Sequence, residues 1–296
     1  MEKEKCGIAT SFQEERKMIE FLITLLLIPV AILFSGIKRK VLARMHNRVG
    51  PPIIQPFYDI MKLFSKKKEN YKNPIFNFVP YMSIITSLAI LFLVSAALVG
   101  NSFDFDYNFL LLGYLFILLD TFYIFGAVAS RSPFAIQSSV RELLLMLGYE
   151  LTFLMVISVF FAKTGILSLG TYTIEYGFLQ VPFASILLIL VGFVILRVTP
   201  FDVVNAETEI SAGFFAEYYG SDLAMIEIAE FVKDLAFGLV AGLLLFGKLW
   251  ALPAALGFVV FYTLMQASSP RYCTFRTAKF FILVAILAFI DLFLLV

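Results

Sequence analysis

Residues 199–234 read TPFDVVNAETEISAGFFAEYYGSDLAMIEIAEFVKD, and the reading of the whole chain turns on them. The stretch holds eight carboxylates, Asp202, Glu207, Glu209, Glu217, Asp222, Glu227, Glu230 and Asp234, against the single base Lys233, in a chain that is 60% hydrophobic. Ionisable groups at membrane depth are costly unless paired, hydrated or protonated, so such a cluster marks function by default. From Ser221 onward the pattern becomes helical and apolar. On that helix Glu227, Glu230 and Asp234 fall at i, i+3 and i+7, which is one face. A row of acids on one side of a spanning helix predicts a proton or cation path.

The surrounding composition sets the class. With 34 Phe, 15% charged residues and a mean hydropathy of +0.91, no soluble core could hide the apolar surface. The chain is therefore expected to be an all-α membrane protein forming a single polytopic domain over residues 1–296. Apolar runs of spanning length fall near 19–37, 77–99, 109–130, 142–162, 182–198, 222–247, 251–268 and 279–295, which predicts eight transmembrane helices. The first run lacks a small-residue cleavage site and leads into a basic segment, so it is expected to be retained as a span.

If the first loop is cytoplasmic, 16 of the 23 Lys and Arg lie on that side, Arg197 among them, and 6 lie opposite, with Lys233 inside a span. This bias puts both termini on the outer side of the cell membrane. The inner loops are long, charged and rich in Pro. The segment FYDIMKLF (57–64) is expected to be a short amphipathic helix at the interface, and the basic residues before it also suit anionic headgroups.

Two further places put charge inside the apolar runs. Asp120 lies near the middle of the third run, where a lone carboxylate would be protonated or face a hydrated cavity. Arg141 and Glu142 open the fourth, and Glu150 follows eight residues later. At 100° per residue the two glutamates stand about 80° apart, so both can look into one interior without touching. Each has a plainer reading: Arg141 as a topology marker, Glu142 as an acid complementing a helix dipole, Lys233 as the neutralising partner of Glu230.

Cys6 and Cys273 are too few and too far apart for an iron–sulfur or zinc site, and His46, the only histidine, cannot build a metal site alone. No catalytic centre and no bound cofactor are expected in this chain, so electron transfer falls to a partner. Motifs of phosphate binding, zinc hydrolysis and nucleophilic serine chemistry are absent, and the basic loop lacks the stacking aromatics of a nucleic-acid binder.

Four segments carry a resemblance that spans nearly the whole chain. These are KRKVLARMHNRVGP (38–51) with QPFYDIMKLFSK (55–66), SRSPFAIQSSVRELLLMLGYE (130–150), TPFDVVNAETEISAGFFAEYYG (199–220) followed by AEF (229–231), and SSPRYCTFRTAKF (268–280). Together they resemble the membrane subunit of respiratory complex I that adjoins its peripheral arm, the NuoH type. The family includes relatives in membrane-bound [NiFe] hydrogenases, formate hydrogenlyases and sulfane reductases. Pro200, Phe201, Asp202, Glu207, Glu209, Gly213, Glu217, Tyr218, Gly220 and Glu230 match the family pattern, whereas Lys38 and Asn205 stand where the family usually has acids. The short RVGPPIIQPFYD turn and the VRELLLMLGYE segment resemble the hydrogenase-like branch.

The resemblance implies a coupling subunit of a ferredoxin-driven, ion-pumping oxidoreductase. Its relay would run through Asp120, Glu142, Glu150, Asp202, Glu207, Glu209, Glu217, Glu227, Glu230 and Asp234. It implies docking of hydrogenase-like large and small subunits through Arg39, Lys40, Arg44, Arg48, Gln55, Arg141, Arg271 and Arg276, and antiporter-like membrane neighbours. A NiFe or other metal centre and iron–sulfur clusters would belong to those partners. Two alternatives stand beside it: a quinone-site subunit of an NADH or ferredoxin:quinone oxidoreductase, and a structural scaffold without a proton path. A stand-alone transporter is disfavoured by the long charged inner loops.

Overall fold

A computed structural model describes residues 2–67, 73–99, 108–164, 177–202, 204, 207–211 and 213–295, with side chains from Lys17 onward; those of 161, 164, 207, 208, 294 and 295 lie outside the description. Among the described residues the chain is helical, with no strand. The helices are α1 (Glu2–Met45), α2 (Gln55–Phe64), α3 (Pro74–Val99), α4 (Asn108–Ser130), α5 (Pro133–Thr164), α6 (Gly177–Gln180), α7 (Pro182–Ile195), α8 (Glu207–Ile210), α9 (Gly220–Phe246), α10 (Ala251–Ser268) and α11 (Thr274–Leu295). Among the described residues five segments are long and apolar enough to cross a membrane: Lys17–Met45, Pro74–Val99, Asn108–Ser130, Pro133–Phe160 and Lys248–Ser268. The other three expected spans correspond to α7, with 14 residues, to the acid-bearing α9, with 27, and to α11, with 22.

Proline fixes several starts. Pro74, Pro133 and Pro182 each open a helix, where the missing N–H costs nothing and the fixed φ is already helical. Hence α5 begins at Pro133, nine residues before the expected start of the fourth span, and Glu142 lies inside the helix rather than at its entry. The expected amphipathic helix is α2, which buries Pro56 and Ile60 and packs on α9.

α9 is the helix around which the others gather, touching α1, α2, α3, α7 and α10. Its second half, from Leu235 to Leu245, is buried without a break, as expected of a helix enclosed on all sides. α4 joins α3 to α5, and α11 lies against α5 at the edge of the bundle. There Gly148 permits a close approach: a Cβ on it would stand 2.8 Å from the Phe281 Cβ. One turn on, Thr152 Oγ1 donates to the Phe281 carbonyl at 3.3 Å. Small residues at such contacts matter in lipid, where association rests on packing rather than on expulsion of water. Phe21, Leu22, Leu26, Leu147, Ile286 and Phe293 point outward, a surface suited to hydrocarbon.

Candidate functional site

The site begins where α7 stops. The amide of Val198 donates to Phe193 O at 2.8 Å and that of Arg197 to Val194 O at 2.9 Å, the paired bonds of a Schellman C-terminus. The left-handed position of that motif normally belongs to glycine. Here Arg197 occupies it, at φ +49°. A left-handed backbone at a residue with a Cβ is strained by about 1 kcal/mol, and such strain persists where surrounding structure overdetermines it.

What holds Arg197 is visible in its side chain. Its guanidinium, 7% exposed, reaches Asp120 of α4 at 3.0 Å, Glu142 of α5 at 3.3 Å and Glu230 of α9 at 3.1 Å. Asp120 also accepts from Lys233 Nζ at 2.5 Å and from the Tyr149 hydroxyl at 2.9 Å. The guanidinium carbon lies 5.0 Å from the Tyr123 ring centroid and 5.8 Å from that of Phe215, within range of cation–π attraction. Asp120, Glu142 and Glu230 lie nine or ten residues in from the ends of α4, α5 and α9 that share the face of this junction. That is about 15 Å of helix.

Three readings from sequence change here. Arg197, counted from sequence with the cytoplasmic loop charges, is instead delivered by the end of α7 between three helices. Asp120 is not a lone carboxylate but the acceptor shared by Arg197, Lys233 and Tyr149. Lys233 serves Asp120 across the bundle rather than Glu230 on its own helix.

The remaining acids of the α9 row diverge. Asp234 pairs with Lys38 of α1 at 3.4 Å beside a space of about 20 Å³ that Tyr262 and Phe231 also line. Glu227 Oε2 is buried without a hydrogen bond, as is Glu150 Oε1 on α5, which stands outside the Arg197 set. The spaces next to the charged residues, about 10 and 20 Å³, each suit roughly one water. They are not an open passage.

Toward the loop face lies a second tier. Asp202 pairs with Arg271 at 3.2 Å, Glu209 with Arg141 at 2.7 Å, and Asp59 with Arg39 at 2.6 Å and Gln55 at 3.1 Å. The Tyr272 amide donates to Pro200 O at 2.9 Å, Thr199 Oγ1 donates to Gln266 O at 3.0 Å, and Phe201 packs among Tyr272, Phe280 and Phe281. Glu217 lines an open cavity of about 410 Å³ with Arg131 and Phe76. Lys40 is half-buried, whereas Arg44, Arg48 and Arg276 are exposed. The Glu207 side chain and Asn205 fall outside the described residues. No group of three or more His, Cys, Asp or Glu among the described residues could hold a metal ion.

Sequence reading missed Arg197, Lys233, Tyr149 and Tyr123 as members of the site. For Arg197 one signal was present: an arginine directly after an apolar run and just ahead of the acidic stretch.

Comparison with known proteins bears on the family. The NADH dehydrogenase family model matches residues 17–296. Hydrogenase-4 component C of Escherichia coli is 29% identical over 78% of this chain and 75% of its own length. An NADH-quinone oxidoreductase subunit of Thermomicrobium roseum is 26% identical over 87% and 89%, and formate hydrogenlyase subunit 4 of Escherichia coli is 28% identical over 71% of each. In structure, a chain of the membrane-bound sulfane sulfur reductase, an archaeal respiratory membrane complex, matches with a TM-score of 0.84 at 24% identity, over 94% of this chain and 99% of that one, which establishes the shared fold. With nearly its full length matched and its apolar helices in the same arrangement, the chain belongs to the NADH dehydrogenase family of NuoH-type membrane subunits.

Proposed function

We propose that this chain is the membrane anchor and coupling subunit of a ferredoxin-driven, complex I-like oxidoreductase, a membrane-bound hydrogenase or sulfane reductase. Its buried carboxylates link redox chemistry in a docked arm to ion translocation in antiporter-like neighbours. The arm, built of hydrogenase-like subunits that carry the metal centres, sits on the cytoplasmic face against Arg44, Arg48 and Arg276. The relatives named for hydrogenase-4 and formate hydrogenlyase support this branch, as does the short first loop.

One observation carries the reading. Asp120, Glu142 and Glu230 share Arg197 and Lys233, so three carboxylates face two cations. An uncompensated buried charge costs several kcal/mol, so the set favours uptake of one more positive charge. Arg197 already bridges the acids, so in this reading the charge that loads the set is a proton. A unit charge appearing at the loop face, about 15 Å away, changes that balance by about 1 kcal/mol at an effective dielectric of about 20. Redox-linked movement of charge at the loop face can thereby load or empty the set.

Replacing Glu230 or Glu150 by Gln should leave electron transfer to an artificial acceptor intact and abolish coupled ion transport in proteoliposomes. If transport survives both changes, the relay is wrong. The scaffold reading has its own support, since the ion pairing of Asp120, Glu142 and Glu230 is what a purely structural core would show. It predicts that both variants transport normally once assembled.

A further inference from the structure

On the loop side of the buried cluster lies a space of about 10 Å³ walled by Tyr123 and Ala127 of α4, Ser139 and Glu142 of α5, Arg197 and Phe215. A guanidinium offers five N–H donors. The Nη atoms of Arg197 serve three carboxylates, whereas its Nε is buried with no hydrogen-bond partner. Leaving a charged donor unsatisfied in so enclosed a place is costly, about 1–3 kcal/mol or more. The other walls supply acceptors. Ser139 Oγ donates to Ile136 O at 2.7 Å, so its own lone pairs are free to accept, and Glu142 has lone pairs beyond the one turned to Arg197. Apolar spaces of this size stay dry, but one with a cationic donor, a carboxylate and a hydroxyl suits a single water.

The cover of this space is aromatic. Phe214 and Phe215 lie 5.2 Å apart between centroids, and Phe214 stands 5.3 Å from Tyr123. Both rings line the space; Phe214 is buried, whereas Phe215 is half-buried and so is the one that also meets the surroundings.

We propose that this space binds one water molecule through Arg197 Nε–H, and that the water is the point at which protons enter the cluster. The proposal rests on the relay reading above. In each transfer the water accepts a proton from solvent on the loop side while releasing one of its own to a Glu142 carboxylate oxygen. One proton moves and the water is restored. Phe215 is then the residue whose displacement opens the step to solvent.

The test uses the whole complex, purified and reconstituted. A high-resolution density map should show a peak about 3 Å from Arg197 Nε. Ala127→Val fills the space with apolar atoms and replaces no charged residue. It should remove that peak and slow ion transport about tenfold or more, with electron transfer to an artificial acceptor unchanged. A map in which Nε bonds to a protein group, or an A127V complex that transports at the normal rate, overturns the proposal. Should A127V fail to assemble, Ala127→Gly enlarges the space instead. The peak and transport must then both persist, and loss of either overturns the proposal. Glu230→Gln separates the two ideas: if it stops transport while A127V does not, the water site alone is wrong, and if neither variant affects transport, the relay falls with it.

Discussion

Two sets of ion pairs divide this chain. Around Arg197 the partners are 0–17% exposed at the side chain and come from α4, α5, α9 and the end of α7. Along the loop face, Arg39 and Asp59 are 40% and 34% exposed, and Glu209, bonded to Arg141, is 55% exposed. The chemistry is the same but the surroundings differ. An exposed pair gains little and is screened by salt, whereas a buried group cannot lose its partner without leaving a stranded charge. The outer set therefore orients loops, and the inner set is where a change in charge must be answered by its neighbours. Lys38 and Asp234, at 27% and 23%, stand between the two regimes.

The contrast can be broken most directly at its hub. Arg197→Met strands Glu142 and Glu230, while Asp120 keeps Lys233 and Tyr149, and is expected to lower stability by about 3–5 kcal/mol, read by thermal unfolding in detergent or as failure to assemble. A loss below about 1 kcal/mol would mean that the inner set behaves like the outer one. Lys233→Met and Asp120→Asn should each cost about 3 kcal/mol. The double variant should cost less than their sum, with a coupling of at least about 1 kcal/mol. Strict additivity would separate Lys233 from the cluster. The outer pairs give the smallest effect: Asp59→Asn or Glu209→Gln should change stability by about 0.2–1 kcal/mol. That change should fade near about 1 M salt, where the screening length is about 3 Å, while the effect of Lys233→Met persists. Unfolding temperatures measured across a salt series decide this.

The acids could be read from the sequence because each is conspicuous in an apolar run and their spacing names a helix face. Their partners could not. Arg197 lies 77, 55 and 33 residues from Asp120, Glu142 and Glu230, and Lys233 lies 113 from Asp120. No periodicity on one helix reports what another helix brings to it. Lys233 is the clearest case: i+3 spacing from Glu230 suggested a local pair, but burial of Asp120 against α9 supplied the stronger partner. The all-helical membrane class was legible from composition. The true start of α5 was obscured because the turns between Pro133 and Glu142 alternate exposed and buried residues and so fall below the hydropathy of a span. Pro133, which the structure shows opening the helix, was the sequence signal for the earlier start.

Only Val198 separates Arg197 from Thr199, the first residue of the segment clamped to the end of α10 and the α10–α11 connection through Gln266, Arg271 and Tyr272. Each peptide unit spans about 3.8 Å and stretches hardly at all, so the tether between clamp and guanidinium has almost no slack. Whatever drags the connection sideways pulls on the arginine's backbone at once, in a position already held in an uncommon conformation. The bundle thus contains a short mechanical linkage from its outer rim to its most crowded charges.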